Sequence, residues 1–445
     1  MSTLPRHATR GSGQPATPQT APKTAADTVP VAAGRPMPMI FQADARTLPL
    51  ADHSVDLVIT SPPYYGQRSY QDGGRHYEGQ IGAESSLADY LDALLDVTRE
   101  CIRVLKPSGS IWVNLGDKYA TGASGSIGAS GSKTGCRDSS RAGRPKSLLG
   151  VPWRYALRCM DELGLILRAE VIWSKPNGLP ESVTDRVRRS HETWFHFTLR
   201  PRYYSAVDEI REPYDGDRVL SRRIKHPGPG KHTQRAAWIS EDPRGRLPGS
   251  VWQIPTQPLR VPAELGVDHF AAFPMELPRR LVQGWSPREV CTGCGQGRRP
   301  VVVAHRTLDG QPVALGGWKR GGVQAETAGV GNWRSGTARH ISGYRCACSD
   351  VTAPTAPGVV LDPFGGTGTT ALVAVMLGRT GISIDASADY CRLAHWRATD
   401  PRQRAKAAAS IPHRTQPRNH AAPIGAVDAG ASADRPSQGK TANAA

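Results

Sequence analysis

The chain has 445 residues, with 56 Lys and Arg against 39 Asp and Glu, for a formal charge of +17. That length allows one large domain or two smaller ones around a sizeable core, and the charge points to a polyanion such as nucleic acid as partner. No apolar run approaches the ~20 residues of a membrane span, residues 1–36 lack a signal-peptide core, and eight cysteines are too sparse for a disulfide scaffold. A cytosolic protein with no membrane association is expected.

Residues 1–36 are rich in Ala, Pro, Thr and Gly and are expected to form a disordered tail. Met39–Ala43 reads as a strand ending at Asp44, and Leu57–Thr60 as a second strand. Leu87–Leu105 has the 3.6-residue apolar period of an amphipathic helix. Ser110–Leu115 is a strand, followed by a Gly/Ser-rich loop over 120–145 of a length that implies a lid or an insertion. Ser147–Leu163 reads as a helix, and Leu165–Trp173 and Thr193–Tyr204 as strands. Residues 205–260 are loop-rich and basic. Val359–Leu361 and Gly381–Ile384 are strands, each followed by a helix, over Gly368–Leu377 and Ser387–Ala398. Residues 401–445 read as a basic, disordered tail. Strands alternating with helices indicate an α/β sheet.

Two constellations carry chemistry. In the first, the apolar Leu57-Val58-Ile59 run stops at Thr60-Ser61-Pro62-Pro63-Tyr64. Successive prolines fix φ and remove two N–H donors, so the strand must end there. The turn presents the Ser61 hydroxyl, the Pro62 carbonyl and the Tyr64 ring, groups suited to accept from an exocyclic amine and to stack on a base. In the second, Asp362-Pro363-Phe364-Gly365-Gly366-Thr367-Gly368-Thr369-Thr370 follows a strand and opens a helix. Glycines let backbone approach a ligand, and a helix start offers free N–H groups. No lysine follows the last glycine, which rules out a nucleoside-triphosphatase loop. About 20 residues on, Asp385 ends the next strand, where an acid suits a ribose diol.

With both constellations in place, the chain resembles the S-adenosylmethionine-dependent DNA amino-methyltransferases in their permuted (beta) arrangement, over roughly residues 38–400. Thr60–Tyr64 matches the family's catalytic turn and Asp362–Thr370 its cofactor loop. His269–Pro274 with Leu277 resembles the segment that packs on the methionine end, and Trp173–Asn177 and His191-Glu192 match further landmarks. The resemblance implies a Rossmann-like, seven-stranded, mostly parallel methyltransferase sheet, circularly permuted. Residues 37–204 would be the catalytic half, with 261–287 and 353–400 the cofactor-binding half. Ser61, Pro62, Pro63 and Tyr64 would be catalytic. Cofactor-binding residues would be Asp44, Thr60, Phe273, Pro274, Asp362, Pro363, Phe364, Gly365, Gly366, Gly368, Thr369, Thr370 and Asp385, with Asp385 on the ribose and Asp44 near the adenine.

A cytosine carbon-5 methyltransferase places its nucleophilic thiolate in a Pro-Cys pair, and none of the eight cysteines here follows a proline. The expected methyl acceptor is therefore an exocyclic amine in double-stranded DNA. Ser at position 61 resembles the cytosine-N4 enzymes, with adenine N6 as the alternative. RNA and protein amines remain open as substrates. Residues 205–260 are the candidate target-recognition region, with Arg222, Arg223, Lys225 and Arg235 as candidate DNA contacts.

Cys291 and Cys294 form a Cys-x-x-Cys knuckle, and Cys346 and Cys348 supply a second pair. Four thiolates suit a structural Zn²⁺, so 288–352 is expected to be an inserted zinc-knuckle-like module without a helix. A dinucleotide-dependent oxidoreductase accounts for the glycine loop but leaves Ser61–Tyr64 unexplained. A non-catalytic zinc- and DNA-binding protein leaves the nucleoside site unexplained. A separate restriction endonuclease and a homodimer both stay open as partners.

Overall fold

The computed structural model describes residues 37–66, 71–72, 75–76, 79–120, 144–213, 244–267, 272–308, 311–313, 335–346, 348 and 352–410. Outside them lie the expected tails over 1–36 and 411–445, most of the Gly/Ser-rich loop, His269–Ala271, and the candidate DNA contacts Arg222, Arg223, Lys225 and Arg235.

The first strands are β1 (Met39–Gln42) and β2 (Val55–Thr60), then a short hairpin, β3 (Gln71–Asp72) and β4 (Arg75–His76). Helix α1 (Leu87–Val104) leads into β5 (Leu105–Leu115), and α2 (Val151–Asp161) into β6 (Ile166–Ser174) and β7 (His191–Thr198). Next come β8 (Val251–Gln253), α3 (Glu276–Trp285), β9 (Glu289–Cys291), β10 (Arg299–Leu308), β11 (Gln311–Val313), β12 (Ser335–Arg345) and β13 (Thr355–Pro357). The chain closes with β14 (Val359–Asp362), α4 (Thr369–Met376), β15 (Thr380–Asp385), α5 (Ala388–Thr399) and α6 (Pro401–Ala409).

The central sheet has the order β1-β15-β14-β2-β5-β7-β6-β8. The β1·β15, β15·β14, β14·β2, β2·β5 and β6·β8 pairs are parallel, and β7 runs antiparallel to β5 and β6. Every residue of β2 is buried, as a central strand covered on both faces must be. Its alternate side chains serve two cores. Val58 joins Leu91, Leu94 and Leu95 of α1 with Phe195 and Phe197. Leu57 and Ile59 join Trp112, Trp194, Trp252, Trp285 and Leu281 on the opposite face. Helix α1 starts where expected because Ser86 caps it, accepting from Asp89 N at 3.1 Å.

The structure departs from the sequence expectations in several places. The sheet has eight strands, not seven. The extra one is β8, inside the stretch expected to be loop. Three residues are too short to give a period, yet Trp252 is 3 % exposed and pairs with Trp173 of β6. Helix α2 begins at Val151 rather than Ser147, because Gly150 sits at φ +71° and Pro152 opens the first turn. Strand β7 ends at Thr198, short of Tyr204. Residues 401–409 form helix α6 instead of tail. Asp400 caps it, accepting from Gln403 N at 2.8 Å, and Ala407 is fully buried beside Leu372 and Val373 of α4. The cysteine segment contains no helix among its described residues, as expected. Strand β10 pairs antiparallel with β11 and β12, and β9 with β13. Among the described residues, no helix is long and apolar enough to cross a membrane.

Candidate active site

The parallel strands β14, β2 and β5 all point their carboxyl ends at one cleft of about 890 Å³. Ser61, Pro62, Pro63 and Tyr64 line it just past β2, with the buried Asn114 near the end of β5 and Gly116 just past it. The turn is pinned from below, since Tyr90 of α1 donates to the Pro63 carbonyl at 2.8 Å. Ser61 Oγ donates to Asn114 Oδ1 at 3.2 Å and lies 3.4 Å from the Tyr64 hydroxyl. With its proton turned toward Asn114, the Ser61 oxygen keeps lone pairs free to accept from a ligand.

Tyr64 is fixed as firmly. Its hydroxyl lies 2.8 Å from Asn114 Oδ1 and 2.9 Å from Glu192 Oε2. Burial, then the negative charge of Glu192, holds its pKa well above the ordinary tyrosine value, so it stays a protonated donor. The ring packs so closely on Gly116 that a Cβ there would come within 2.6 Å of Tyr64 Cε2. Asn114 is itself oriented by donating from Nδ2 to the Thr193 carbonyl at 3.2 Å. Glu192 also pairs with Lys175, whose ammonium sits 4.2 Å from the centre of the Trp173 ring. Ser61, Asn114, Tyr64, Glu192 and Lys175 thus form one continuous polar chain along the cleft wall.

Asp362 joins the two motifs. Its carboxylate is 1 % exposed and accepts from Thr60 Oγ1 at 2.9 Å, Thr370 Oγ1 at 2.8 Å and Phe364 N at 3.2 Å. Burial pushes its pKa up to about 6 against the opposing pull of those hydrogen bonds. Asp362 therefore works from beneath the cleft. Thr60, Thr369, Thr370, Gly365 and Gly368 are buried with it, and Pro274 is buried at the start of α3.

The residues of the glycine loop that line the cleft are Pro363, Phe364 and Gly366. Gly366 has φ +50° with open space where a side chain would point, a free backbone surface suited to close ligand approach. Gly365 has a different reason to be glycine, because a Cβ would overlap Ser383 Oγ of β15. Asp385 lines the cleft one strand away, accepting from Gly366 N and Ser387 N, each at 2.9 Å. Phe273 lines it too, edge-on to Trp194. Asp44 is at the rim, paired with Arg46 at 2.7 Å, which holds its pKa below the usual value.

The cysteines converge as well. The four Sγ atoms of Cys291, Cys294, Cys346 and Cys348 lie within 4.8 Å of one another. Backbone N–H groups of Cys294 and Gly293 bring the Cys291 thiol down to about 7. Around the cluster, Arg299 Nη2 donates to the Tyr203 carbonyl at 3.0 Å, and the Tyr344 hydroxyl bonds Glu209, so the β10–β12 sheet is tied to the main body.

A family model described as DNA methylase matches residues 55–290 and 351–395. The chain belongs to the DNA methylase family. The match covers the Ser61–Tyr64 turn and the glycine loop and skips 291–350, the stretch that carries β10 to β12. The methylase is 35% identical over 262 residues to the Type II methyltransferase M.XycI of Xanthomonas campestris pv. cyanopsidis, covering 56% of this chain and 74% of that protein. It is 35% identical over 251 residues to M.Cfr9I of Citrobacter freundii, covering 55% and 71%. It is 35% identical over 241 residues to M.SmaI of Serratia marcescens, covering 51% and 67%.

Sequence reasoning missed four residues in and around the cleft. Asn114 is a polar residue in the apolar run Trp112-Val113-Asn114-Leu115, a signal that was available. Glu192 and Lys175 stood inside recognised landmarks without a role. Arg397, 3 % exposed, braces the glycine loop from behind, donating to Thr367 Oγ1 at 2.7 Å and Thr369 Oγ1 at 2.6 Å. Nothing in the helical sequence around it marked it out.

Proposed function

We propose that this methylase transfers a methyl group from S-adenosylmethionine to the N4 amine of cytosine in a specific duplex sequence. The observation that carries the reading is that Ser61, Tyr64 and Asp385 line one cleft. A base-sized amine site and a ribose-diol site there share a wall. The fit to the cofactor rests on the open left-handed backbone at Gly366 and the acid at the end of β15. Asp385 would hold the ribose hydroxyls, Asp44 would lie near the adenine, and Phe364, Phe273 and Gly366 would border the methionine part. When bound, the cofactor supplies an electrophilic sulfonium methyl. The catalytic turn preceding the glycine loop in the chain supports the permuted arrangement.

The chain's own residues then act on the amine. Its lone pair is delocalised into the ring, which makes it a poor nucleophile. Ser61 Oγ and the Pro62 carbonyl accept its two N–H bonds and draw the nitrogen toward tetrahedral geometry. Tyr64, locked by Asn114 and Glu192, offers its ring to the base. The amine would form its N–C bond in line as the methyl's C–S bond breaks, releasing S-adenosylhomocysteine as a neutral thioether, and the methylated nitrogen would shed one proton to solvent, with no covalent enzyme intermediate. Positioning and fixed dipoles carry the rate. The base leaves the duplex first, at a cost of about a few kcal/mol.

Four cysteine sulfurs at mutual distances within 4.8 Å support a structural zinc held by Cys291, Cys294, Cys346 and Cys348. Its role would be to clamp the end of β9 to the end of β12, as an inserted module on the methylase core. Residues 205–260 remain the proposed reader of target sequence, with Arg222, Arg223, Lys225 and Arg235 as DNA contacts. The function is tested by expressing the chain in cells free of DNA methylation and identifying the modified nucleoside by mass. N4-methylcytosine is expected, and N6-methyladenine would transfer the reading to the adenine branch.

A further inference from the structure

The loop between β6 and β7 carries Leu179, which is 87% exposed and lines the same cleft as Ser61 and Tyr64. An exposed leucine alone is ordinary, but this one sits on a loop braced to hold it there. Lys175 N donates to the Ser190 carbonyl at 2.8 Å and closes the loop's base. Asn177 Oδ1 accepts from Thr256 N at 2.7 Å, tying one limb to the segment after β8. Arg188 Nη1 donates to the Gly178 carbonyl at 3.2 Å, crossing from one limb to the other. Glu181 accepts from Arg186 Nη1 at 2.8 Å and from Arg189 N at 3.4 Å. Pro176 and Pro180 stiffen the chain on either side of Leu179.

We infer that Leu179 is a wedge for double-stranded DNA, entering the stack beside the target base and occupying the space the base leaves when it swings into the cleft. The inference rests on the proposed reading of the cleft as a base site. An apolar tip matches the interior of a base stack, and the exposed Arg188 on the same loop matches the phosphates outside it, while Arg186 is held by Glu181 and the Tyr119 ring. The position at the rim puts the wedge beside the pocket that takes the base.

The test uses the full chain, tritiated S-adenosylmethionine and a short duplex carrying the sequence that the wild-type chain methylates in bacterial genomic DNA. A second duplex has an abasic site opposite the target base, which removes most of the cost of extrusion. Leu179→Ala is expected to lower kcat/KM on the paired duplex roughly tenfold and to return to within about twofold of wild type on the abasic duplex. Val187→Ala, which is 85% exposed on the same loop but off the cleft, serves as control and leaves both rates unchanged. Equal rates for Leu179→Ala and wild type on the paired duplex, or an equal loss on both duplexes, would overturn the wedge. An equal loss accompanied by a change in molecular mass by light scattering would assign Leu179 to contact with a second copy of the chain. Absence of DNA methylation by the wild-type chain would overturn the parent reading, and the wedge with it.

Discussion

Thr60 Oγ1 donates to Asp362 Oδ1 across 2.9 Å of buried space, tying the strand that carries Ser61 to the strand that carries the glycine loop. The two residues are separated by 302 positions in sequence. Asp362 also accepts from Thr370, the second residue of α4, so one carboxylate sets the Ser61–Tyr64 turn against the loop that faces it.

Asp362→Ala leaves two buried hydroxyls and one N–H without their acceptor, and is expected to destabilise the fold by about 2–4 kcal/mol. Asp362→Asn retains one acceptor and lets the Thr370 hydroxyl reverse its role, so it should cost about 1 kcal/mol. Urea unfolding monitored by circular dichroism reads both. The pH dependence has a definite sign. Burial raises the folded pKa to about 6, above the ordinary 3.8, so the native state holds this proton more tightly than the unfolded chain. The group's contribution to stability is full below about 3.8 and is lost as pH rises to about 6. In Asp362→Asn that falling slope should be absent.

Asn114→Ala removes the Asn114 acceptor of the Ser61 hydroxyl and one of the two acceptors beside the Tyr64 hydroxyl, leaving Glu192 as the other. The expected result is a fall in kcat of roughly 10²-fold with the dissociation constant for S-adenosylmethionine within about twofold of wild type. Glu192→Gln keeps an acceptor for Tyr64 but removes the charge that pairs with Lys175, and should lose about tenfold in kcat. Steady-state kinetics together with calorimetric titration separate the two parameters. A rise in the cofactor dissociation constant with unchanged kcat would place these residues on the wrong side of the cleft.

Arg397→Met removes two hydrogen bonds to the glycine loop while keeping most of the side-chain volume. Cofactor binding should weaken about tenfold, with a smaller effect on kcat once cofactor saturates. Burial lowers the Arg397 pKa to about 10, so the guanidinium stays charged through the neutral range. The weakening in Arg397→Met should accordingly be the same at pH 6 and pH 8, as calorimetry at the two values can check.

Removal of metal tests the cysteine cluster separately from catalysis. A freshly reduced preparation should contain about one zinc per chain. Cys346→Ser should lose the metal and lower the melting temperature. Cofactor affinity should be retained, since the cluster is not among the residues lining the cleft. Elemental analysis and scanning calorimetry provide the readings, and metal content well below one in the wild-type chain would reject the site.

The parts of the site legible in the sequence were those whose chemistry is local. Two prolines after an apolar run end a strand wherever it lies, and Gly366 and Asp385 follow strands within the same β–α–β unit. Chain-distant partners were not legible. Asn114 becomes the acceptor for Ser61 only because β5 lies beside β2, and Arg397 reaches Thr367 only because α5 folds back behind the glycine loop. Asp362 belonged to a recognised motif, but burial on three donors gives it a joining function that no motif spells out. In the fold, strands with several apolar residues could be read, whereas β8, with one buried residue between two exposed ones, could not. The N-cap at Asp400 followed by Pro401 was a readable start for α6, outweighed by the composition of the stretch that follows.

The central claim is that Ser61, held by Asn114, activates an exocyclic amine of cytosine. The most direct measurement is mass analysis of nucleosides from DNA of methylation-free cells expressing either the wild-type chain or Ser61→Ala. The account predicts N4-methylcytosine from the wild type and a loss of at least about 10²-fold from Ser61→Ala, with S-adenosylmethionine binding retained in the purified variant. Wild-type-like methylation by Ser61→Ala, or N6-methyladenine as the sole product, would contradict it.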